Sequence, residues 1–255
     1  MLAEGRRGLG FAVGQEPLTT LFASLGCLVV ASDLDPETAT SQGWVETNQH
    51  ASALEALNKR GICTQDELER QVTFRSVDMN AIPDDLRGFD FVWSSCSFEH
   101  LGSIEKGLQF LLDMMDCLAP GGVAVHTTEF NVFSDSDTID TGPTVLFRQS
   151  DMEAIVDVLR ALGHSIETDF SRGDGAADHY IDEPPYYTPG PDNAVIHLKI
   201  RIGKFVATSF GLIVQKSTEP ETITGLKAQI RFERELFNRA YTRACRLSDR
   251  LAGTT

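Results

Sequence analysis

Two stretches of this sequence, FDFVWSSCSFEHLG at residues 89–102 and LAPGGVAV at residues 118–125, decide its fold class. Each contains a short apolar run of the length of a buried strand. Between them, residues 104–118 have helical character and end at Pro-Gly-Gly, which a helix does not pass because proline lacks an amide proton and glycine favours the left-handed cap. A strand, a helix and a second strand in this order predict a parallel β-α-β unit.

The same alternation continues on both sides of this unit. The predicted strands are residues 6–9, 27–32, 72–77, 89–94, 123–128 and 164–170. The predicted helices are residues 17–25, 51–59, 66–70, 104–118 and 151–162, the last capped by Ser150. Residues 195–202 and 205–215 predict an antiparallel pair that supplies the last strand of the sheet. The whole pattern predicts an α/β fold, a mostly parallel sheet with helices on both faces.

The remaining third of the chain predicts a loop and a long helix. Residues 171–193 are rich in Gly, Pro and Tyr and predict a long irregular loop, of the kind that often forms a lid or a binding surface. Residues 221–251 predict an amphipathic helix with an apolar seam. The seam consists of Leu226, Ile230, Phe237, Ala240, Ala244, Leu247 and Leu251. It packs either on a second copy or on its own domain. We therefore divide the chain into a domain at 1–218 and a C-terminal helix at 219–255.

Composition excludes several functional classes. A formal net charge of −15 over 255 residues disfavours nucleic acid as a partner, and the basic residues of the last helix are typical of a solvated face. No apolar run is long enough to span a membrane, and no secretory signal follows the first residues. The five cysteines are scattered without a C-x-x-C pair, which predicts a cytoplasmic protein with no disulfide frame and no metal site.

Small and polar residues stand at the carboxyl ends of the predicted strands, where α/β sheets bind ligands. A turn from Gly10 to Gly14 follows the first strand, Asp33 ends the second and Asp78 ends the third. The fourth strand opens into the polar segment 94–100. Each feature alone has a structural explanation, a turn or a helix cap. Their succession along the chain instead favours a nucleotide-bearing ligand.

With these features in order, residues 6–215 resemble the class I S-adenosylmethionine-dependent methyltransferase family. The residues that carry the resemblance are the strand and Glu-His segment at 89–102 and the Pro-Gly-Gly turn at 118–125. The resemblance implies a seven-stranded Rossmann-like sheet with an antiparallel last strand, and S-adenosyl-L-methionine as cofactor. The cofactor-binding residues it implies are Gly10, Ala12 and Gly14 at the methionine part, Asp33 at the ribose, Asp78 and Met79 at the adenine, and Ser95 and Cys96 under the sulfonium.

Three departures from the family pattern stand at the start of the chain. The middle glycine of the turn is Ala12, which the turn accommodates if its φ is negative. The acid that the family carries two residues before the first glycine is Gly8, and Glu16 is the nearest substitute. The helix that commonly precedes the first strand has no counterpart in residues 1–5, which suggests a chain that begins inside the domain.

Two histidines are candidate bases for a methyl transfer to a hydroxyl group. His100 follows Glu99 in the loop after the fourth strand, where the family often uses the pair structurally. His126 lies on the fifth strand, where a hydrogen-bonded residue inside the sheet is the alternative interpretation. The tyrosines of the long loop, Tyr180, Tyr186 and Tyr187, suit a sugar or another hydroxylated small molecule, and a solvated loop is the alternative interpretation.

The sequence therefore predicts a methyltransferase, acting by O-methylation of a small molecule or glycan. The first alternative is a non-catalytic binding or scaffold protein of the same fold, which Gly8 and Ala12 favour. The second is an NAD-dependent dehydrogenase, which is disfavoured because Val13 stands where the third glycine of a Gly-x-Gly-x-x-Gly fingerprint belongs. Cofactor titration discriminates among the three.

Overall fold

A computed structural model describes residues 3–41, 43–46, 49–189 and 195–252, with side chains as far as residue 246. Within these residues eight strands form one sheet. They are β1 (Arg7–Gly10), β2 (Leu28–Asp33), β3 (Val72–Ser76), β4 (Phe89–Ser95), β5 (Leu118–Asn131), β6 (Ser165–Thr168), β7 (Lys199–Ile202) and β8 (Phe205–Gln215). The order across the sheet is β3-β2-β1-β4-β5-β8-β6, and β7 pairs with β8 outside this path.

The predicted mostly parallel sheet with an antiparallel last strand is confirmed. Strands β3, β2, β1, β4 and β5 run parallel to one another, and β8 enters antiparallel between β5 and β6. The sheet has one strand more than the seven that the family resemblance implies, because β7 forms a hairpin with the first half of β8, as the antiparallel pair predicted at 195–202 and 205–215 requires. The hairpin turn is Gly203-Lys204, with Gly203 at φ 58, a conformation that glycine adopts without strain.

Six α-helices of the described chain cover the sheet. They are α1 (Leu18–Ser24), α2 (Pro36–Ser41), α3 (Gln65–Gln71), α4 (Ile104–Asp113), α5 (Gln149–Ala161) and α6 (Ile223–Ala252). Helices α1 and α3 pack together over a smaller core that includes Leu68 and Trp93. Helices α4, α5 and α6 pack together over the larger core, in which Phe110 and Ile155 are buried. Helices thus cover both faces of the parallel part of the sheet, which explains why its strands are continuous apolar runs in the sequence.

Three predicted helix boundaries are wrong. Of the predicted helix 51–59, only Leu54–Asn58 is helical, as a short 3-10 helix, and the Ala51 amide donates instead to a side chain of β2. The helix predicted at 104–118 tightens into 3-10 form over Met114–Cys117. Ser150 does not cap α5, because the helix begins at Gln149, two residues before the predicted start, and the Asp151 carboxylate accepts the Arg148 amide proton at 3.1 Å.

Helix α6 packs back on its own domain through a face other than the predicted seam. Phe232 and Leu236 are buried in the large core. Arg243 donates two hydrogen bonds, of 2.8 and 2.9 Å, to the buried carboxylate of Glu105 on α4. The predicted seam instead faces outward, with Ile230 59% and Phe237 70% exposed. Its members Leu247 and Leu251 lie outside the described side chains.

The predicted loop at 171–193 has little regular structure in its described part, residues 171–189. It contains one short 3-10 helix, Ala176–His179, and a single bridge between Asp182 and Ile200. Residues 190–193 lie outside the described chain. Among the described helices, none combines the length and the apolar character that crossing a bilayer requires.

Candidate functional site

The glycine turn after β1 is held tightly against β4. The Phe11 amide donates to the Trp93 carbonyl oxygen at 2.9 Å, and a Cβ at position 10 would lie 2.4 Å from the Trp93 ring. Only glycine therefore fits at Gly10. Ala12 has φ 46, so the condition stated for accommodating alanine in the turn, a negative φ, is not met. The turn requires the left-handed conformation at this position, which glycine adopts without strain and alanine does not.

Asp33 ends β2 beside this turn, and its carboxylate is fully engaged by backbone amides. Its Oδ2 accepts from the amides of Gly14 and Ala51, each at 3.1 Å, and its Oδ1 accepts from Leu34 at 2.9 Å. The side chain is 6% exposed. Burial raises the pKa of Asp33, and the three amide hydrogen bonds oppose that effect.

Residues 49–51 form a strap over the glycine turn. A Cβ at Gly14 would collide with the Gln49 carbonyl oxygen, so strap and turn are in direct contact. The His50 ring bonds through Nε2 to the Leu34 carbonyl oxygen at 2.8 Å, and Ala51 donates to Asp33 as described. The strap therefore lies where a ligand of the turn and of Asp33 would bind.

The residues predicted at the end of β3 are split between surface and core. Asp78 is exposed, and its Oδ1 accepts the Asn80 amide proton at 2.8 Å. Met79 is buried in the large core, 4% exposed. Both lie at the same edge of the sheet as Asp33, because the Val77 amide donates to the Asp33 carbonyl oxygen at 2.8 Å.

Glu16 lies across the ends of β1 and β4. Its carboxylate accepts a hydrogen bond from Trp93 Nε1 at 2.5 Å and another from Ser95. Burial raises its pKa, and the two hydrogen bonds oppose this rise. Ser95 itself is exposed at the strand end. Glu16 thus connects the glycine turn to the loop after β4, which fits the role predicted for it as a substitute for the missing acid.

The two predicted bases have opposite environments, and His100 is the accessible one. Its Nδ1 lies 2.8 Å from the Pro143 carbonyl oxygen, and since a carbonyl only accepts, Nδ1 carries the proton in that bond. Nε2 is then the free base nitrogen, 3.9 Å from Glu99 Oε1. Burial lowers the pKa of His100, which keeps the ring neutral at neutral pH. The ring also contacts Trp44 edge-on.

His126 is sealed inside the sheet. Its Nδ1 lies 2.7 Å from the Ser94 hydroxyl, and the rings of Phe98 and Phe110 pack edge-on against it. The side chain has no exposed surface, and burial lowers its pKa to about 3. The geometry gives a bound acceptor no access to this ring, so the structure does not bring His126 together with the other predicted residues.

Burial of His126 makes the stability of the fold depend on pH. We expect this residue alone to lower the free energy of unfolding by about 1.4 kcal/mol per pH unit below about pH 6.5. Its pKa falls from 6.5 to about 3 on folding, so the unfolded chain takes up the proton first. The free energy of unfolding therefore has its full value, as far as His126 is concerned, above pH 6.5. It falls as the pH drops from 6.5 toward about 3.

Urea unfolding between about pH 7 and pH 5 tests this dependence. His126→Gln should flatten the pH dependence relative to the wild type. The exposed His179→Gln should leave it unchanged. Parallel curves for the wild type and His126→Gln would contradict the assignment of the shifted pKa to His126.

A cluster that sequence reasoning did not predict lies beside His100. It consists of Cys96, Glu99 and Glu129, whose potential ligand atoms all lie within 4.8 Å of one another. Burial raises the pKa of Glu99 to about 8 and also raises the pKa values of Cys96 and Glu129. Cys96 adopts φ 45, a rare conformation for a residue other than glycine. The sequence signal for the cluster was only that all three follow strands at the same edge.

The loop with the tyrosines packs on His197, whose charge interacts with Glu129 of this cluster. Tyr187 stacks on the His197 ring at 4.0 Å between centroids, and His197 Nδ1 lies 2.5 Å from Asp182 Oδ2. This hydrogen bond lowers the pKa of Asp182. The hydroxyl of Tyr186 donates to the Arg201 carbonyl oxygen at 2.6 Å. Two of the three predicted tyrosines are thereby fixed, and the Asp178 carboxylate accepts the Gly175 amide proton at 2.9 Å within the loop.

Comparison with known proteins gives one match to a family model and two similar structures. A family model described as "Methyltransferase domain" matches residues 9–126. The (4+2)-cyclase SpnF is similar in structure with a TM-score of 0.51 and 17% identity, over 86% of this chain and 77% of that one. A protein assigned as a sarcosine dimethylglycine methyltransferase of Galdieria sulphuraria gives a TM-score of 0.50 and 16% identity, over 85% and 80% of the two chains. No curated protein sequence matches this chain. At these identities the two structures support the fold alone.

Proposed function

We propose that this chain, in which residues 9–126 match a methyltransferase domain model, transfers a methyl group from S-adenosyl-L-methionine to an oxygen of a small hydroxylated molecule. The observation that carries the proposal is the meeting of the glycine turn, Asp33 and Ser95 at one edge of the sheet. Parallel sheets of this type bind nucleotide-bearing cofactors at that edge.

The cofactor is proposed to lie across the ends of four adjacent strands. The turn around Gly10, Ala12 and Gly14 would approach its methionine part, and Asp33 would accept hydrogen bonds from the ribose hydroxyls. The adenine would lie against Asp78 and Met79, at the end of β3. Ser95 and Cys96 would lie below the sulfonium, next to Thr127 of the neighbouring strand β5. The protein's main contribution is then alignment of the acceptor with the methyl group.

The acceptor is proposed to bind between the loop after β4 and the tyrosine loop. Burial raises the pKa of the Tyr186 hydroxyl, and the charges of Asp182 and Glu129 add to the rise, which supports a position of Tyr186 near Glu129. Hydroxyl-rich small molecules, sugars or glycans among them, are recognised by such acids and aromatic rings. His100 Nε2 is proposed to take the proton from the acceptor hydroxyl as the methyl group is transferred.

Isothermal titration of the chain with S-adenosylmethionine and with its demethylated product tests the proposal. We expect one binding site per chain for each ligand, followed by methyl transfer in a screen of hydroxylated acceptors that starts with sugars. Binding without turnover would favour the alternative, a non-catalytic binding or scaffold protein. That alternative is supported by the left-handed Ala12 and by the strap on Asp33. Absence of binding would overturn the proposed methyl transfer and would also favour a non-catalytic member of the fold.

We place this activity in the cytoplasm. The five cysteines are all free, three of them buried, which is in keeping with a reducing compartment. The net charge of −15 disfavours nucleic acid as the acceptor.

The outward seam of α6 is proposed to pair with a second copy of the chain. Leu226, Ile230 and Phe237 are exposed along it, and Phe237 stacks on Tyr241. We expect Phe237→Glu to lower the mass measured in solution, because an unpaired charge in an apolar interface is strongly unfavourable. Asn238→Glu, a neighbouring exposed position off the seam, is the matched control. A wild type that is monomeric at all concentrations would overturn the pairing.

A further inference from the structure

The cluster of Cys96, Glu99 and Glu129 gathers three potential ligand atoms from three segments. Cys96 directly follows β4, Glu99 lies in the short 3-10 helix Phe98–His100, and Glu129 lies on β5. The pairing of Ser95 with Thr127 across β4 and β5 sets these segments side by side. Their potential ligand atoms all lie within 4.8 Å of one another.

One oxygen of each carboxyl group in this cluster is buried without a hydrogen-bond partner. Glu99 has no exposed surface, its Oε2 accepts from the Thr128 hydroxyl at 3.0 Å, and its Oε1 has no hydrogen-bond partner. Glu129 Oε2 is likewise buried without a partner. No lysine or arginine forms an ion pair with either carboxyl group within the part of the chain that the structure describes. Buried polar atoms are nearly always satisfied, so two free carboxyl oxygens at one place indicate a missing cationic ligand.

We propose that Cys96, Glu99 and Glu129 bind one divalent transition-metal ion, with Zn²⁺ as the first to test. A thiolate and two carboxylates are ligands that Zn²⁺ accepts, whereas Mg²⁺ and Ca²⁺ select oxygen alone. Tetrahedral Zn²⁺ sets its ligand atoms about 3.6 Å apart, so small side-chain rotations close the present separations. The left-handed Cys96 fits this role, since strained residues cluster at functional sites.

A set of three protein ligands leaves a position of the metal open. Structural zinc sites usually have four protein ligands, whereas catalytic sites have three and one open position. The open position would lie next to Ser95 and the proposed acceptor site, where a metal-bound hydroxyl oxygen would lose its proton more readily. The metal site itself does not depend on the proposed function, because metal binding is measured without cofactor or acceptor.

Titration of the purified, metal-stripped chain with Co²⁺ tests the site, because Co²⁺ reports its ligands in the absorption spectrum. We expect one ion per chain and a thiolate-to-cobalt charge-transfer band, both reversed by added Zn²⁺. Cys96→Ser should abolish the band, and Glu129→Gln should weaken binding by about a hundredfold. Cys245→Ser, which changes the exposed cysteine of α6, is the matched control and should behave as the wild type.

Urea unfolding of each variant confirms that it is folded before its titration is interpreted. A wild type that binds neither Co²⁺ nor Zn²⁺ would overturn the proposal. So would a charge-transfer band that persists in Cys96→Ser or moves to Cys245. A cluster that binds a small organic ammonium ion and no metal would overturn it equally, and would assign the free carboxyl oxygens to a cationic molecule.

Discussion

Asp33→Ala is expected to weaken S-adenosylmethionine binding by about a hundredfold or more, because two hydrogen bonds to a charged acceptor contribute about 1.5–3 kcal/mol each. In the proposed complex, Asp33 accepts from both ribose hydroxyls. Isothermal titration of the variant measures the loss directly. Asp33→Asn, which keeps the size of the side chain and one acceptor oxygen, should give an intermediate loss.

Asp35→Asn is the matched control for this experiment. Asp35 lies two residues further along, at the start of α2, where its carboxylate accepts the Thr38 amide proton at 3.0 Å, and it has no contact with the glycine turn. Because Asp33 also satisfies three backbone amides, each variant must first be shown to unfold cooperatively in urea. Unchanged affinity in a folded Asp33→Ala protein would refute the ribose assignment.

His100→Asn is expected to lower kcat for methyl transfer by about 10²- to 10⁴-fold, the usual contribution of a general base. Asparagine can still donate to the Pro143 carbonyl oxygen, which His100 Nδ1 contacts at 2.8 Å, but it offers no basic nitrogen toward the acceptor. Single-turnover measurements, with an acceptor obtained from the hydroxyl screen, separate this loss from changes in product release.

Two readouts distinguish a base from a merely structural histidine. Cofactor affinity should be the same in His100→Asn and in the wild type, since His100 is not among the proposed cofactor contacts. His179→Asn, in the exposed part of the tyrosine loop, should retain full kcat. Full activity in a folded His100→Asn protein would leave proton removal to another group and sink the proposed role.

Much of the fold was predictable because the apolar runs and the turn residues of the sequence lie where the structure has its strands and turns. The apolar run at β4, followed by a polar segment and then by Pro-Gly-Gly, predicted the β4-α4-β5 unit, and the structure confirms it. An antiparallel last strand followed from the pattern at 205–215 together with the family resemblance, whereas its position between β5 and β6 was not predicted. The antiparallel pair predicted at 195–202 and 205–215 is also confirmed as the hairpin of β7 and β8, although β7 begins only at Lys199.

The details of the site were less predictable, because they depend on contacts between distant residues. Ala51 has good helix propensity, yet its amide is bound to Asp33, and the helix predicted there does not form. His126 stands on an alternating strand, and only the packing of Phe98 and Phe110 against its ring seals it from a ligand. The proximity of Glu99 and Glu129 depends on the register between β4 and β5, which propensities do not encode.

The strap at residues 49–51 competes with the proposed cofactor for Asp33 and for the glycine turn. The Ala51 amide occupies the same Asp33 oxygen that a ribose hydroxyl would use, and the Gln49 carbonyl oxygen lies against Gly14. Any ligand of Asp33 Oδ2 must therefore wait for the strap to open, and the apparent affinity is reduced by the fraction of molecules that are open. The observed association rate should then level off at high ligand concentration, at a value set by the opening of residues 49–51 rather than by diffusion.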